Sequence, residues 1–253
     1  MEDRDILPDN FIKWACSLSG CNGGDPKAKI WISGIEWGLG SDKNNIDDYY
    51  LRRLPEEISK GAYTPPIDGY DLRNLVKYKF DASVAKLYCA IKGYEPKNYK
   101  NIIKTMNGSE IFKANLYPIA FRNTNQELWK KYKLDEVTGF KEKHLFKTWC
   151  FLNRFPAISK TISKDSPKLI ICTGIGYITD FFACYAGNGN INKSINSGEL
   201  DGKRRYCWAK LNNGSLLVVI PFFLGHSGLN SDKLKKEMGD KIRDLMHKYK
   251  ITI

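Results

Sequence analysis

The chain has 253 residues, 42% of them hydrophobic and 13% aromatic. That is enough to bury a core, and it excludes both a disordered chain and a small fold held by disulfide staples. Forty Lys and Arg against 28 Asp and Glu give a formal net charge of +12. This favours a polyanionic partner, with nucleic acid ahead of a membrane surface because no basic amphipathic helix stands out. Charge alone leaves open a basic protein with no such partner. No apolar run approaches the roughly 20 residues that span a bilayer. The N-terminus MEDRDILPDN lacks the apolar stretch of a signal peptide. The expectation is a cytoplasmic, monomeric protein that makes no contact with membranes. Seven scattered cysteines without a CxxC are read as reduced thiols.

In chain order, the first predicted strand covers 29–33, apolar and closed by Gly34. Residues 41–108, rich in Tyr, Lys, Asp and Pro, fit an α/β rhythm worst and are read as an insertion, although 82–91 has helical spacing. A strand at 111–116 follows, ending at Pro118. Residues 143–162 carry a helical pattern that Pro156 must interrupt or bend. Strands at 168–173 and 216–220 are continuous apolar runs, with a polar, glycine-rich loop or hairpin at 186–204 between them. The last element, 231–249, opens on Ser231 and Asp232 and sets Leu234, Met238, Ile242, Leu245 and Met246 on one helical face. Apolar runs without alternation suit a sheet covered on both sides. The predicted fold is therefore α/β: three layers, α/β/α, around a mostly parallel central sheet of about four strands, in one domain over 1–253.

In open α/β sheets, sites form beyond the carboxyl ends of the strands. The informative residues are thus those that follow each strand. Gly34-Ile35-Glu36-Trp37-Gly38-Leu39 presents a carboxylate in a glycine-bracketed turn, Asn115-Leu116-Tyr117-Pro118 an amide, and Gly225-His226-Ser227-Gly228-Leu229-Asn230 an imidazole. Together they are equipment for placing a water and recognising a polar heterocycle.

These motifs, in this order, resemble those of the uracil-DNA glycosylase superfamily. The first is similar to Gly-Ile-Asn-Pro-Gly-Leu of the mismatch-specific members and Gly-Gln-Asp-Pro-Tyr of the classical uracil enzymes. Asn115 sits where a base-reading Asn ends a strand. The segment 167–174 is similar to a Pro-Lys-x-Ile-x-x-x-Gly strand, and 225–230 to Asn-Pro-Ser-Gly-Leu-Ser or His-Pro-Ser-Pro-Leu-Ser. The resemblance implies a monofunctional DNA glycosylase that flips a base out of the helix and hydrolyses its N-glycosidic bond. It gives Glu36 and His226 catalytic roles: Glu36 orients water and steadies the cationic sugar, and His226 contacts the leaving base. It gives Asn115, Trp37 and Gly38 base-binding roles. Ser227 and Gly228 become phosphate contacts, and Leu229 the wedge that fills the stack. Each residue also has a plainer reading: a solvated turn glutamate, a strand-end cap, a loop histidine, or a helix staple for Leu229.

The departures from the family pattern bear on substrate. Trp37 replaces a Pro, and Gly225 rather than His226 falls at the family's His or Asn column. Gly38 stands where strictly uracil-specific enzymes place a Tyr against the pyrimidine C5. An open wall plus the insertion, with Tyr49, Tyr50 and Tyr63 as stacking candidates, points to a bulky C5-modified pyrimidine, such as modified cytosine in phage DNA. Excision of uracil in repair is the alternative, and a catalytically inactive DNA-binding module is a second. A nuclease is disfavoured because no acidic or histidine cluster has metal-binding spacing. No cofactor is expected. Cys16, Cys21 and Cys150 fall near positions that hold an iron–sulfur cluster in some members, but no fourth ligand is evident. The basic residues Lys193, Lys203, Arg204 and Arg205 near the late polar loop are candidate phosphate contacts.

Overall fold

The computed structural model describes residues 7–36, 38, 42–106, 108, 110–121, 127–187 and 194–253. The expected α/β class is present, with a larger sheet than the sequence suggests. Six strands, β1 Ile30–Gly34, β2 Ile111–Asn115, β3 Leu169–Thr173, β4 Asn196–Leu200, β5 Arg204–Lys210 and β6 Leu216–Ile220, lie in the order β2-β1-β3-β6-β5-β4. The four strands foreseen from their apolar runs are the parallel ones. Of the loop or hairpin expected at 186–204 the antiparallel hairpin is present, shifted to 196–210, and its strands β4 and β5, not counted in the expected sheet, extend that sheet beyond β6. Its turn places Asp201 and Gly202 in the left-handed region. An Asp-Gly pair is the residue choice such turns favour, so a signal for the hairpin was present. Its β4 arm, Asn-Ser-Gly-Glu-Leu, is too polar to register as a strand on periodicity.

Alternation along the parallel strands divides the core in two. Trp31, Phe112, Ile170, Cys172 and Val219 face one layer, while Ile32, Ile111, Leu169, Ile171 and Val218 face the other. The first layer is built by the helices Asp9–Ala15, Leu54–Ser59, Lys143–Trp149, Phe155–Asp165 and Ile178–Tyr185. The second is built by Lys79–Ile91, Tyr99–Lys104 and Asp232–Lys248. The stretch read as an insertion thus contributes to both layers, and its 79–91 helix is the crossover from β1 to β2. That helix lies close against the C-terminal one: a Cβ on Gly239 would come within 2.3 Å of the Ala90 Cβ. The C-terminal helix is capped as foreseen, the Ser231 hydroxyl accepting from the Leu234 amide at 3.2 Å.

Pro156 does not end the 143–165 helical stretch. Instead the turn before it, Cys150–Arg154, widens to a π-helix, and Pro156 then enters at the first turn of the next α-segment. The same device precedes Pro55, after the π-helical Tyr49–Arg53. A proline has no N–H to give to the preceding turn and its ring crowds the carbonyl four residues back; opening the turn relieves both. Among the described residues, no helix is long and apolar enough to cross a membrane.

Candidate active site

Because β1, β2, β3 and β6 are parallel, their carboxyl ends and the segments that follow lie along one edge of the sheet. Beyond β1 the pairing continues briefly: the Leu116 amide donates to the Gly34 carbonyl at 3.1 Å, and the Tyr117 amide to that of Ile35 at 3.0 Å. Glu36 leaves the sheet at this point. Its side chain is only 7% exposed and meets Lys143, 3% exposed, whose Nζ lies 3.2 Å from each carboxylate oxygen. Only Oε2 accepts a hydrogen bond from that ammonium; Oε1 is buried without a hydrogen-bond donor among the described residues. The other side of the ammonium rests on the Phe121 ring, 3.5 Å from its centre. Burial raises the Glu36 carboxyl above its ordinary range, and Lys143 and then Lys147 oppose that rise. Burial lowers Lys143 in turn, against the pull of Glu36.

Lys147, one helical turn after Lys143, stands over two rings, Tyr117 at 4.5 Å and Tyr177 at 5.1 Å. The Tyr117 hydroxyl and the Asp180 carboxyl lie close enough to interact, and burial also raises that carboxyl, against the opposing charge of Lys147. Glu36, Lys143, Lys147 and Asp180 therefore form an alternating set of charges supplied by the β1 end and two helices. No sequence signal marked the two lysines or Asp180, since each is an ordinary polar residue of an amphipathic helix until the partner across the fold is known.

Asn115 ends β2 in register with Gly34. It is 4% exposed, and its amide nitrogen donates to the Gly20 carbonyl at 2.7 Å and to Asn22 Oδ1 at 3.2 Å. In this arrangement the side chain secures the 20–22 loop, the strand-end cap that was its plainer reading. Directly behind it lies Arg154, fully buried. Its guanidinium donates to the carbonyls of Ala15, Ser17, Ser19, Asn115 and Leu116 and to the Ser19 hydroxyl. Every acceptor is neutral. This cation lies close enough to Cys16, Cys21 and Cys150 to pull their thiols down, although burial raises all three overall. Among the described residues, no three His, Cys, Asp or Glu side chains are grouped to hold a metal. Cys184 is a fourth thiol within electrostatic reach of Arg154, Cys21 and Cys150, but with the guanidinium lying among them these cysteines are not grouped as the four thiolates that an iron–sulfur cluster requires.

The segment after β6 corrects one expectation. Leu229 cannot be the wedge: it is fully buried, in the core under the C-terminal helix, and its amide donates to the Phe222 carbonyl at 2.8 Å. The apolar side chains that reach solvent here are Phe222, 41% exposed, and Leu224, 46% exposed. Gly228 is also buried; an added Cβ would lie 2.3 Å from the Leu224 carbonyl oxygen and 2.5 Å from that of Phe222, so the loop closes only with glycine there. Ser227 and His226 are exposed at the loop surface. Two inter-strand spacings, or about 10 Å, separate the ends of β1 and β6, with β3 between them. His226 and Glu36 thus share an edge without touching across adjacent strands. Arg204, at the start of β5, donates to the His226 and Gly228 carbonyls at 2.9 and 2.8 Å. It holds the loop instead of pointing to solvent, whereas its neighbours Lys203 and Arg205 are exposed.

Of the remaining expectations, Gly38 is exposed, and a methyl group added to it would meet nothing within 4 Å. Tyr49 and Tyr50 are buried and cannot stack on a ligand at the surface. They clamp Ala120, the Tyr50 hydroxyl donating to its carbonyl at 2.7 Å and the Tyr49 hydroxyl accepting from its amide at 3.1 Å. Tyr63 is 39% exposed. Trp37, Leu39 and Lys193 lie outside the described residues. Compared with family models, curated proteins and solved structures, the chain matches none of them.

Proposed function

We propose that this protein is a DNA glycosylase, which draws a base out of the helix and hydrolyses its N-glycosidic bond to leave an abasic site. The observation that carries the reading is Glu36: a buried carboxylate beyond the first parallel strand, paired with Lys143, with Oε2 accepting its hydrogen bond and Oε1 making none among the described residues. A carboxylate oxygen without a hydrogen bond in a dry site is suited to accept a proton from water, and a carboxyl raised by burial is a stronger base than one in solution. As the glycosidic bond lengthens, its electron pair leaves with the base and positive charge develops on the sugar. The Glu36 carboxylate stabilises that charge and orients the water that adds to C1′, accepting its proton. Exposed His226, on the loop after β6 two strands along the same edge, is the candidate contact to the departing base.

DNA is held by the basic surface. The exposed Lys203 and Arg205 stand next to the loop that presents Phe222 and Leu224, an arrangement suited to gripping phosphate and filling the vacated stack. The open space around Gly38 supports a pyrimidine with a large C5 substituent over uracil, and defence against phages with modified cytosine as the setting. Duplex and single-stranded DNA carrying uracil, 5-hydroxymethylcytosine or its glucosylated form tests this, with abasic sites read as alkali-labile breaks. Release from the modified cytosines is expected; release from uracil alone sinks the substrate assignment. Glu36→Gln is expected to lower base release by about 10²- to 10⁴-fold with DNA affinity unchanged. A second reading, an inactive DNA-binding module, is favoured by the direct Glu36–Lys143 ion pair. DNA binding without base release from any of these substrates would establish it.

A further inference from the structure

We propose that Lys143 is the positioning residue for Glu36: its ammonium, in contact with both carboxylate oxygens and with the face of Phe121, holds the carboxylate in the place from which it acts as the base. The inference rests on Glu36 as the base. It explains three features that helix formation does not. Lys143 is the first residue of its helix, where the helix dipole disfavours a cation. It is 3% exposed, although lysine is rarely buried without a partner. Lys147, a like charge one turn away on the same face, adds repulsion within the helix. Each unfavourable placement is offset across the fold, by Glu36 on Lys143 and by Asp180 on Lys147.

The Lys143 ammonium lies 3.2 Å from both carboxylate oxygens, with a hydrogen bond to Oε2, so it fixes the position of the whole carboxylate. The Phe121 face, 3.5 Å away on the other side, fixes where the ammonium sits. The site therefore fixes a carboxyl group in a nearly dry setting, with a cation against both of its oxygens. Among the described residues, the other titratable groups within electrostatic reach are Lys147 on the same helix, Tyr50 from the 49–53 turn, Tyr117 after β2 and Cys150 in the following turn; Asp180 acts through Lys147 and Tyr117.

The test reads the carboxylate directly, without DNA. Protein labelled with carbon-13 at the glutamate carboxyl is titrated by NMR, Glu36 being assigned by the resonance missing in Glu36→Gln. In Lys143→Met the Glu36 midpoint is expected to rise by about one pH unit or more, the scale of an opposite charge at this distance. In Lys143→Arg it is expected to stay near that of the wild type. An unmoved midpoint in a folded Lys143→Met protein overturns the proposal. Should that variant not fold, the wild type still decides. The Lys143 ε-carbon resonance must then show an inflection at the Glu36 midpoint, and its absence overturns the proposal equally. Base release over the same pH range separates this inference from the proposed function. An acid limb that moves with the NMR midpoint supports both. A midpoint that moves while base release is absent or indifferent leaves Lys143 as the partner of Glu36 and removes Glu36 as the base.

Discussion

Burial of Glu36 has a consequence for pH. Its carboxyl is raised, desolvation outweighing the pull of Lys143. In the proposed reaction the active form is the anion, so activity is expected to fall as pH drops through the folded-state value, above the ordinary 4.5. The acid limb of kcat/KM is expected above that figure, and a limb at or below it would mean that another group is the base. The sign for stability is opposite. A raised carboxyl favours the folded state at low pH and loses that contribution as pH rises through the folded value, so burial of Glu36 is expected to cost stability above that value. Arg154 makes the contrasting case of a buried charge that is structural. Replacing it with Met leaves carbonyls at 15, 17, 19, 115 and 116 short of a donor. The expected cost is on the order of 3–5 kcal/mol in thermal or denaturant unfolding. Arg154→Lys should recover little, because an ammonium cannot span the acceptors that a guanidinium fork reaches.

At the scale of elements, the segment after β6 does two things with neighbouring residues. Leu229 is the inward half: Leu229→Ala is expected to cost about 2–5 kcal/mol, as other large-to-small changes in a core do, with a lowered Tm as the reading. Leu224 is the outward half, and Leu224→Ala is expected to leave Tm unchanged while weakening binding to DNA that contains an abasic site. If Leu229→Ala spared stability and abolished DNA binding, the assignment would be reversed. The motif Gly-His-Ser-Gly-Leu marked the segment as important from sequence. It did not reveal which apolar residue faces out, because a loop has no period from which to read direction. Helix 143–165 shows a similar limit. Its apolar spacing and Pro156 were visible, but a proline can be met by a break, a kink or a π-turn, and that the chain runs on through a π-turn is seen only in the structure.

For the whole molecule, the net charge of +12 becomes specific only through the β4–β5 hairpin. The hairpin carries Lys203 and Arg205 to the exposed loop after β6, and Arg204 ties the two together. Lys203→Ala and Arg205→Ala are each expected to reduce the salt slope of DNA affinity by about one, equally for every sequence tested. A slope that stays constant in both would place the phosphate grip elsewhere on the basic surface. Gly239→Ala is expected to destabilise the molecule by forcing apart the two helices that cover one face of the sheet, a change visible in Tm without any effect on the salt slope.

Local pattern was sufficient for the four parallel strands, the capped C-terminal helix and the strand-end position of Glu36. Each is written in a short window, as an apolar run, a helical period or a glycine turn, and parallel strands then bring their carboxyl ends to one edge. The tertiary structure alone decided the partners. Lys143 meets Glu36 across 107 positions of sequence, and Arg154 reaches Ala15 across 139. It also decided that Asn115 turns its amide into the 20–22 loop and that Leu229 goes into the core while Leu224 stays in solvent. Such pairings depend on chain closure and on which groups are desolvated together, and neither leaves a periodic trace in the residues themselves.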